Sequence, residues 1–249
     1  MFYLKLFFLL LLTLSLNAVT INIAVATNVS YAIEELRAKF IEIHPEIEVN
    51  IILGSSGKLT AQISHGAPYG LFMSANMLYP RKLYEKNIAI TKPRIYAKGA
   101  LSLFSTQKQD YTSGIKLLQT ASIQKIAIAN PKTAPYGKAA FEALKNAKIY
   151  TQVKDKLLFG ESISQTLSYI ITAADIGFVA SSSLYSAKMS QYKEGIHWQE
   201  VDPTLYSPIE QGVVLLSLAK DKKAYKLFYE FLFTSDAQKI FKKYGYISL

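Results

Sequence analysis

The chain has 249 residues, half of them hydrophobic and 18% charged, with a net charge of +10 and no cysteine. That composition excludes a disordered chain and a disulfide scaffold, and it removes thiolate metal sites and cysteine nucleophiles. The basic residues are dispersed, without a run of like charge or a nucleic-acid-binding pattern. They read as a solvated surface, and no nucleic-acid partner is expected.

Residues 1–18 read as a secretory signal peptide. Lys5 is the only charge, Leu6 to Leu12 is an unbroken apolar run, and Asn17-Ala18 offers a small residue for cleavage. The run is shorter than the roughly 20 residues a membrane-spanning helix needs. Without a cysteine for lipid attachment, the expected destination is the periplasm, as a free protein.

After this segment, β-branched runs alternate with helical patterns. Ile21 to Ala26 is a strand, and Val29, Ala32, Ile33, Leu36 and Phe40 then share a helical face. Val49 to Leu53 is a strand before a helix carrying Leu59 and Ile63. Leu71 to Ser74 is a strand before a helix over Leu78 to Tyr84. Ala100 to Phe104 is a strand with no helix directly after it. The rhythm restarts with strand Lys125–Ala129, helix Lys138–Leu144, strand Leu157–Phe159, helix Ile163–Ile171 and strand Ile176–Ala180. Val213 to Leu218 is a late strand. Helices over Tyr225–Phe233 and Asp236–Tyr244 finish the chain, with Ser235 as the expected N-cap of the last.

Repeated βα units predict α/β architecture with mostly parallel sheets flanked by helices. Two sets of units, with a return to C-terminal helices, predict two lobes. Lobe 1 comprises 19–97 plus 208–249 and lobe 2 comprises 98–207, with crossings near Lys98 and Pro208.

Four strand ends run into small, hydroxyl-bearing or glycine-containing residues where a helix begins: Ala26-Thr27-Asn28, Gly54-Ser55-Ser56-Gly57, Asn130 to Gly137, and Gly160-Glu161-Ser162-Ile163. A helix start presents unpaired backbone N–H groups and a partial positive charge. In open α/β sheets, ligands bind beyond the carboxyl ends of the strands. Together these features suit an anion, and Thr27, Asn28, Ser55 and Ser56 can add side-chain donors. Taken singly, each motif is ordinary helix capping.

In their order, these segments resemble the molybdate-binding proteins of ABC importers. The likeness runs through Ala26-Thr27-Asn28, Gly54 to Gly57, Gln62-Ile63 with Gly66-Ala67-Pro68, and Ser74-Ala75-Asn76. It continues through Tyr96-Ala97, Asn130-Pro131, Ala134 to Gly137, Gly177 to Ala180, and Phe241 to Tyr246. The resemblance implies a type II periplasmic-binding-protein fold: two lobes that close on molybdate or tungstate. It implies no catalysis, no cofactor, and molybdenum only as the bound oxyanion. It carries the oxyanion donors onto Thr27, Asn28, Ser56, Tyr136 and Ile163, the last two through backbone N–H groups. Some members add a tyrosine hydroxyl where this chain has Ala180. The implied partner is the permease of an ABC importer in the inner membrane, served by a monomer. Sulfate or another oxyanion is the alternative ligand.

Other readings fit less well. Ser55-Ser56-Gly57-Lys58 matches the S-x-x-K start of a penicillin-recognising serine enzyme, with Ser55 as nucleophile and Lys58 as its activator. The accompanying S-D-N and K-T-G elements are missing. A phosphate loop needs glycine where Ile52 stands and Ser or Thr where Leu59 stands. His44, His65 and His197 lack metal-ligand spacing, and Trp198 is expected to pack.

Overall fold

The computed structural model describes residues 18–247. All but the last residue of the expected signal peptide therefore lies outside the described residues. Ten strands form two five-stranded sheets.

The first sheet opens with β1 (Val19–Ala26), α1 (Ala32–Ile43), β2 (Ile47–Gly54), α2 (Ser56–Ser64), β3 (Leu71–Ser74), α3 (Leu78–Glu85) and β4 (Arg94–Gly99). The chain then crosses into a second sheet. Its elements are β5 (Leu101–Phe104), β6 (Ile126–Ala129), α4 (Pro135–Asn146), the short α5 (Tyr150–Val153), β7 (Leu157–Gly160), α6 (Ile163–Thr172), β8 (Ile176–Ala180), the short α7 (Ser181–Leu184) and β9 (Trp198–Glu200). It returns as β10 (Ile209–Leu215) and ends in α8 (Lys223–Phe231) and α9 (Ser235–Lys243).

The strand orders are β2-β1-β3-β10-β4 and β7-β6-β8-β5-β9. Each sheet has a parallel trio, β2-β1-β3 or β7-β6-β8, next to one reversed strand, β10 or β5. In both sheets the reversed strand is the first one after the chain has crossed over. The fold is therefore α/β with mixed sheets in which parallel pairing dominates the half that carries the helix starts.

Strand periodicity sends alternate side chains to opposite faces, and each face has its own core. In the first sheet, Ile23 and Val25 pack with Leu36 and Phe40 of α1 and Phe228 of α8. Between them in sequence, Ala24 points to the other face, with Phe72, Leu59, Ile63 and Leu83. In the second sheet, Ile126, Ile128 and Phe178 pack on Ala140 and Leu144 of α4, while Ala127 and Val179 pack on Leu167 and Ile170 of α6. Full burial of each large apolar side chain contributes about 1.5–3 kcal/mol. The rings of Phe40 and Phe228 meet edge-on at 5.0 Å, a favoured aromatic geometry.

Several elements differ from the sequence reading. The segment before Ala100 is a strand of its own, β4, and stays in the first sheet as far as Gly99. The late strand begins at Ile209 and ends at Leu215. Trp198 packs into the second-sheet core and also opens β9, an edge strand that the sequence reading left out. Ser235 is not the cap of the last helix. Thr234 caps it, because its extended backbone (φ −73°, ψ 158°) lets its hydroxyl accept from Ala237 N at 3.4 Å. Ser235 is already the first helical residue.

Candidate functional site

Parallel pairing brings the four motifs together two by two. β1 and β2 run in register from Val19↔Ile47 to Ala26↔Gly54, so they end flush. Thr27 and Ser55 therefore start their turns side by side. β6 and β7 end flush at Ala129↔Gly160, and Asn130 N donates to Gly160 O at 2.7 Å just beyond. That pairing sets the start of α4 beside the start of α6.

Each start is built so that backbone donors remain free. Ser55 caps α2 with extended backbone and no side-chain cap bond, which leaves its hydroxyl available. Ser56, the first residue of α2, is fully buried, and its Oγ accepts from Ala75 N at 3.0 Å. With that lone pair occupied, the hydroxyl hydrogen is free to donate elsewhere. The loop before α4 is shaped by Asn130, whose side-chain oxygen accepts from Lys132 N at 3.0 Å and whose carbonyl accepts from Ala134 N at 2.9 Å. Pro135 then occupies the first turn of α4, where it sacrifices no helical hydrogen bond. Tyr136 follows it, and its backbone N–H is among those with no partner inside the helix. At α6, Ser162 Oγ caps Gln165 N at 3.2 Å, leaving the N–H groups of Ile163 and Ser164 outside the cap.

The two halves face each other across a small void of about 10 Å³. Its walls are Ala26, Thr27, Asn28, Ser55, Ser56, Ala75, Ala134, Pro135, Tyr136 and Ile163. All five expected site residues, Thr27, Asn28, Ser56, Tyr136 and Ile163, line this one cavity. No lysine, arginine, aspartate or glutamate does. The starts of α2, α4 and α6 supply the positive potential as fixed dipoles. Ala180 lies outside the lining.

Contacts across the cleft surround the cavity. Gly57 N donates to Thr133 O at 2.9 Å, Ser164 Oγ to Thr27 O at 3.1 Å, and Ser182 Oγ to Asn28 O at 3.0 Å. Tyr79 OH donates to Lys132 O at 3.3 Å. A wider cleft adjoins the cavity, and there Lys58 Nζ lies 3.6 Å from Glu161 Oε2. Both side chains are largely exposed, so this pair is a weak clasp. Glu161, the carboxylate nearest the motifs in sequence, is thus turned to Lys58 and not into the small cavity.

Behind the cavity lies a buried polar network that the sequence reading did not assign. Asn28 Nδ2 donates to Gln211 Oε1 at 2.7 Å and to Tyr246 OH at 3.2 Å. Tyr96 OH donates to Gln211 Oε1 at 2.8 Å, Gln211 Nε2 to Tyr136 OH at 3.4 Å, and Tyr246 OH to Asn28 O at 2.8 Å. Burial pushes the Tyr96 and Tyr136 hydroxyls well above the ordinary phenol range, and lifts Tyr246 to about 12. All three are neutral donor–acceptor groups at physiological pH. For Tyr96 and Tyr246 the sequence offered only the likeness of Tyr96-Ala97 and of the closing segment Phe241–Tyr246, with no role for either hydroxyl. Gln211 reads only as one polar residue in an apolar strand.

Two sheets joined by crossing strands, with helix starts converging on a small cavity between them, define a ligand-capturing protein of the two-lobed binding class. The chain belongs to the family of bacterial extracellular solute-binding proteins, whose model matches residues 21–247. It is 36% identical over 227 residues to the molybdate-binding protein ModA of Rhodobacter capsulatus, covering 90% of this chain and 87% of that one. It is 33% identical over 238 residues to ModA of Azotobacter vinelandii, covering 95% and 93%. Among solved structures, the Azotobacter vinelandii periplasmic molybdate-binding protein superposes with a TM-score of 0.84 at 30% identity, covering 92% of this chain and 99% of that one.

Proposed function

We propose that this protein captures molybdate or tungstate in the periplasm and delivers it to the permease of an ABC importer. The observation that carries this reading is the cavity lining: three helix starts and buried hydroxyls, with no ionic side chain. Molybdate and tungstate carry no proton near neutral pH, so their oxygens only accept hydrogen bonds. Thr27, Asn28, Ser56, and the backbone N–H groups of Tyr136 and Ile163 are the donors. A hydrogen bond to a charged group is worth about 1.5–3 kcal/mol, so several of them, less the cost of closure, are sufficient for binding of about −12 kcal/mol, the nanomolar range. The names of the relatives support the same ligand class.

The first lobe is built on the first sheet, which keeps Lys98 and Gly99 in β4, and the second lobe on the sheet from Leu101 to Glu200. They close about the crossings at Ala100 and before Ile209, and the closed surface is what the permease reads. The protein works as a monomer without a cofactor, after loss of its signal peptide. No helix among the described residues is long and apolar enough to cross a membrane. The hydrolase reading finds little support. Activating a serine needs a desolvated lysine, whereas Lys58 is mostly exposed and faces Glu161.

Calorimetric titration of the mature protein with molybdate, tungstate, sulfate and phosphate tests the reading. Tight one-to-one binding of the first two, with sulfate and phosphate weak, is the expected result. Tight sulfate binding would shift the assignment to the alternative oxyanion. Failure of the folded protein to bind any of the four would overturn it.

A further inference from the structure

The turn that carries Thr27 and Asn28 directs two carbonyls toward the opposite lobe, and a serine meets each of them. Ser164 Oγ, from the first turn of α6, donates to Thr27 O at 3.1 Å. Ser182 Oγ, from α7, donates to Asn28 O at 3.0 Å. Thr27 and Asn28 follow β1 of the first sheet, whereas α6 and α7 flank β8 of the second. Both bonds therefore cross the cleft. Neither serine lines the cavity.

Each carbonyl also has a donor from its own lobe. Thr27 O accepts from Ser30 N at 3.2 Å, and Asn28 O from Tyr246 OH at 2.8 Å. Tyr246 belongs to the first-sheet core. A carbonyl oxygen has two lone pairs, so the own-lobe donor and the serine take one each. When the lobes part, neither carbonyl is left bare. The serines add their bonds only on closure.

These bonds fix two peptide planes. In a trans peptide the C=O and the following N–H point in opposite directions. Holding Thr27 O and Asn28 O from the other lobe sets the planes on both sides of the Asn28 α-carbon, and with them the aim of its N–H and side chain. Asn28 lines the cavity, as does Ile163, which directly precedes Ser164. Ser164 thereby ties the donor at the start of α6 to the donors after β1 in one fixed spacing.

We propose that Ser164 and Ser182 are positioning residues for the oxyanion site: on closure, two hydroxyls of the second lobe grip the Thr27–Asn28 turn of the first and set its donors on the ligand. Their role rests on the oxyanion reading above. It makes the donor geometry of one lobe depend on contact with the other. An anion too large for the lobes to meet around it also loses the fixed turn, which sharpens selection by size.

Calorimetry with molybdate on Ser164→Ala, Ser182→Ala and the double variant tests this, alongside thermal melts without ligand. Each single variant should bind about three- to tenfold more weakly than wild type, and the double variant at least about tenfold. Melting without ligand should stay at the wild-type temperature, because the own-lobe donors remain. Ser164→Thr, which keeps the hydroxyl at a half-buried position, should recover most of the loss. Alanine variants that bind within about twofold of wild type, or that lose unliganded stability as steeply as affinity, would overturn the positioning role and leave the ligand assignment standing. So would a Ser164→Thr variant as weak as Ser164→Ala. Absence of molybdate binding by the wild-type protein would overturn both.

Discussion

The backbone N–H of Gly57 donates to the carbonyl of Thr133 at 2.9 Å, joining the loop that opens α2 to the loop that precedes α4. The two loops approach so closely that a Cβ at Gly57 would lie 2.9 Å from Thr133 O and 2.8 Å from Tyr79 OH. Real side chains do not tolerate such contacts with backbone, so one loop would have to retreat. Closure around the cavity depends on this glycine.

Gly57→Ala should therefore weaken oxyanion binding by about tenfold or more while leaving the unliganded fold intact. The backbone clash, with Thr133, exists only when the lobes are together and an open arrangement relieves it, whereas the Tyr79 hydroxyl, on the same lobe as Gly57, ends a side chain that can shift. Calorimetry on the variant, with a thermal melt in the absence of ligand, separates the two effects. A melting temperature depressed as strongly as the affinity would show that Gly57 serves the fold of its own lobe instead.

Ser56→Ala removes a donor and also strands a buried group. Its Oγ accepts from Ala75 N, and an unpaired buried N–H costs about 1–3 kcal/mol. The expected outcome is a loss of both ligand affinity and stability. Ser55→Ala, at a residue with no cap bond to lose, should leave stability almost unchanged.

Binding should be flat in pH across the neutral range, because the cavity lining carries no carboxylate, imidazole or ammonium. Stability should not stay flat in strong alkali. The folded-state pKa of Tyr246 is raised from 10.0 to about 12, and burial raises Tyr96 and Tyr136 as well. A raised pKa contributes stability that is complete below the unfolded value and is lost as pH climbs toward the folded one. Denaturant midpoints should fall between pH 10 and 12 and hold steady from 6 to 9. A drop near neutrality would point to a titrating group elsewhere.

The cap of the last helix offers a clean comparison. Thr234→Ala should cost about 1 kcal/mol, since it removes the bond to Ala237 N. Ser235→Ala should be neutral or slightly stabilising, because alanine is the better helix former inside the first turn. Equal losses at both positions would contradict the cap assignment.

Strands such as Leu71–Ser74 and Ile176–Ala180 were legible with their boundaries, because every residue in them is buried and the apolar run is continuous. β4 and β9 were not, because exposed polar residues and antiparallel edge pairing leave no clear apolar pattern in Arg94–Gly99 and Trp198–Glu200. Ser235 looked like a cap because residue type alone does not reveal which residue carries the extended backbone.

The sequence by itself determined the α/β class, the two sets of βα units and the four helix starts, since strand alternation, helical faces and turn chemistry act over a few residues. Its likeness to a known family also pointed to five of the ten residues that line the cavity. Only the tertiary structure decided that the four starts face one another, because flush parallel registers and two chain crossings set that. The tertiary structure alone also brought Gln211 and Tyr246 to Asn28, across 183 and 218 residues of chain. A polar side chain buried by such distant partners leaves no local pattern, because its reason for being polar lies in a different part of the sequence.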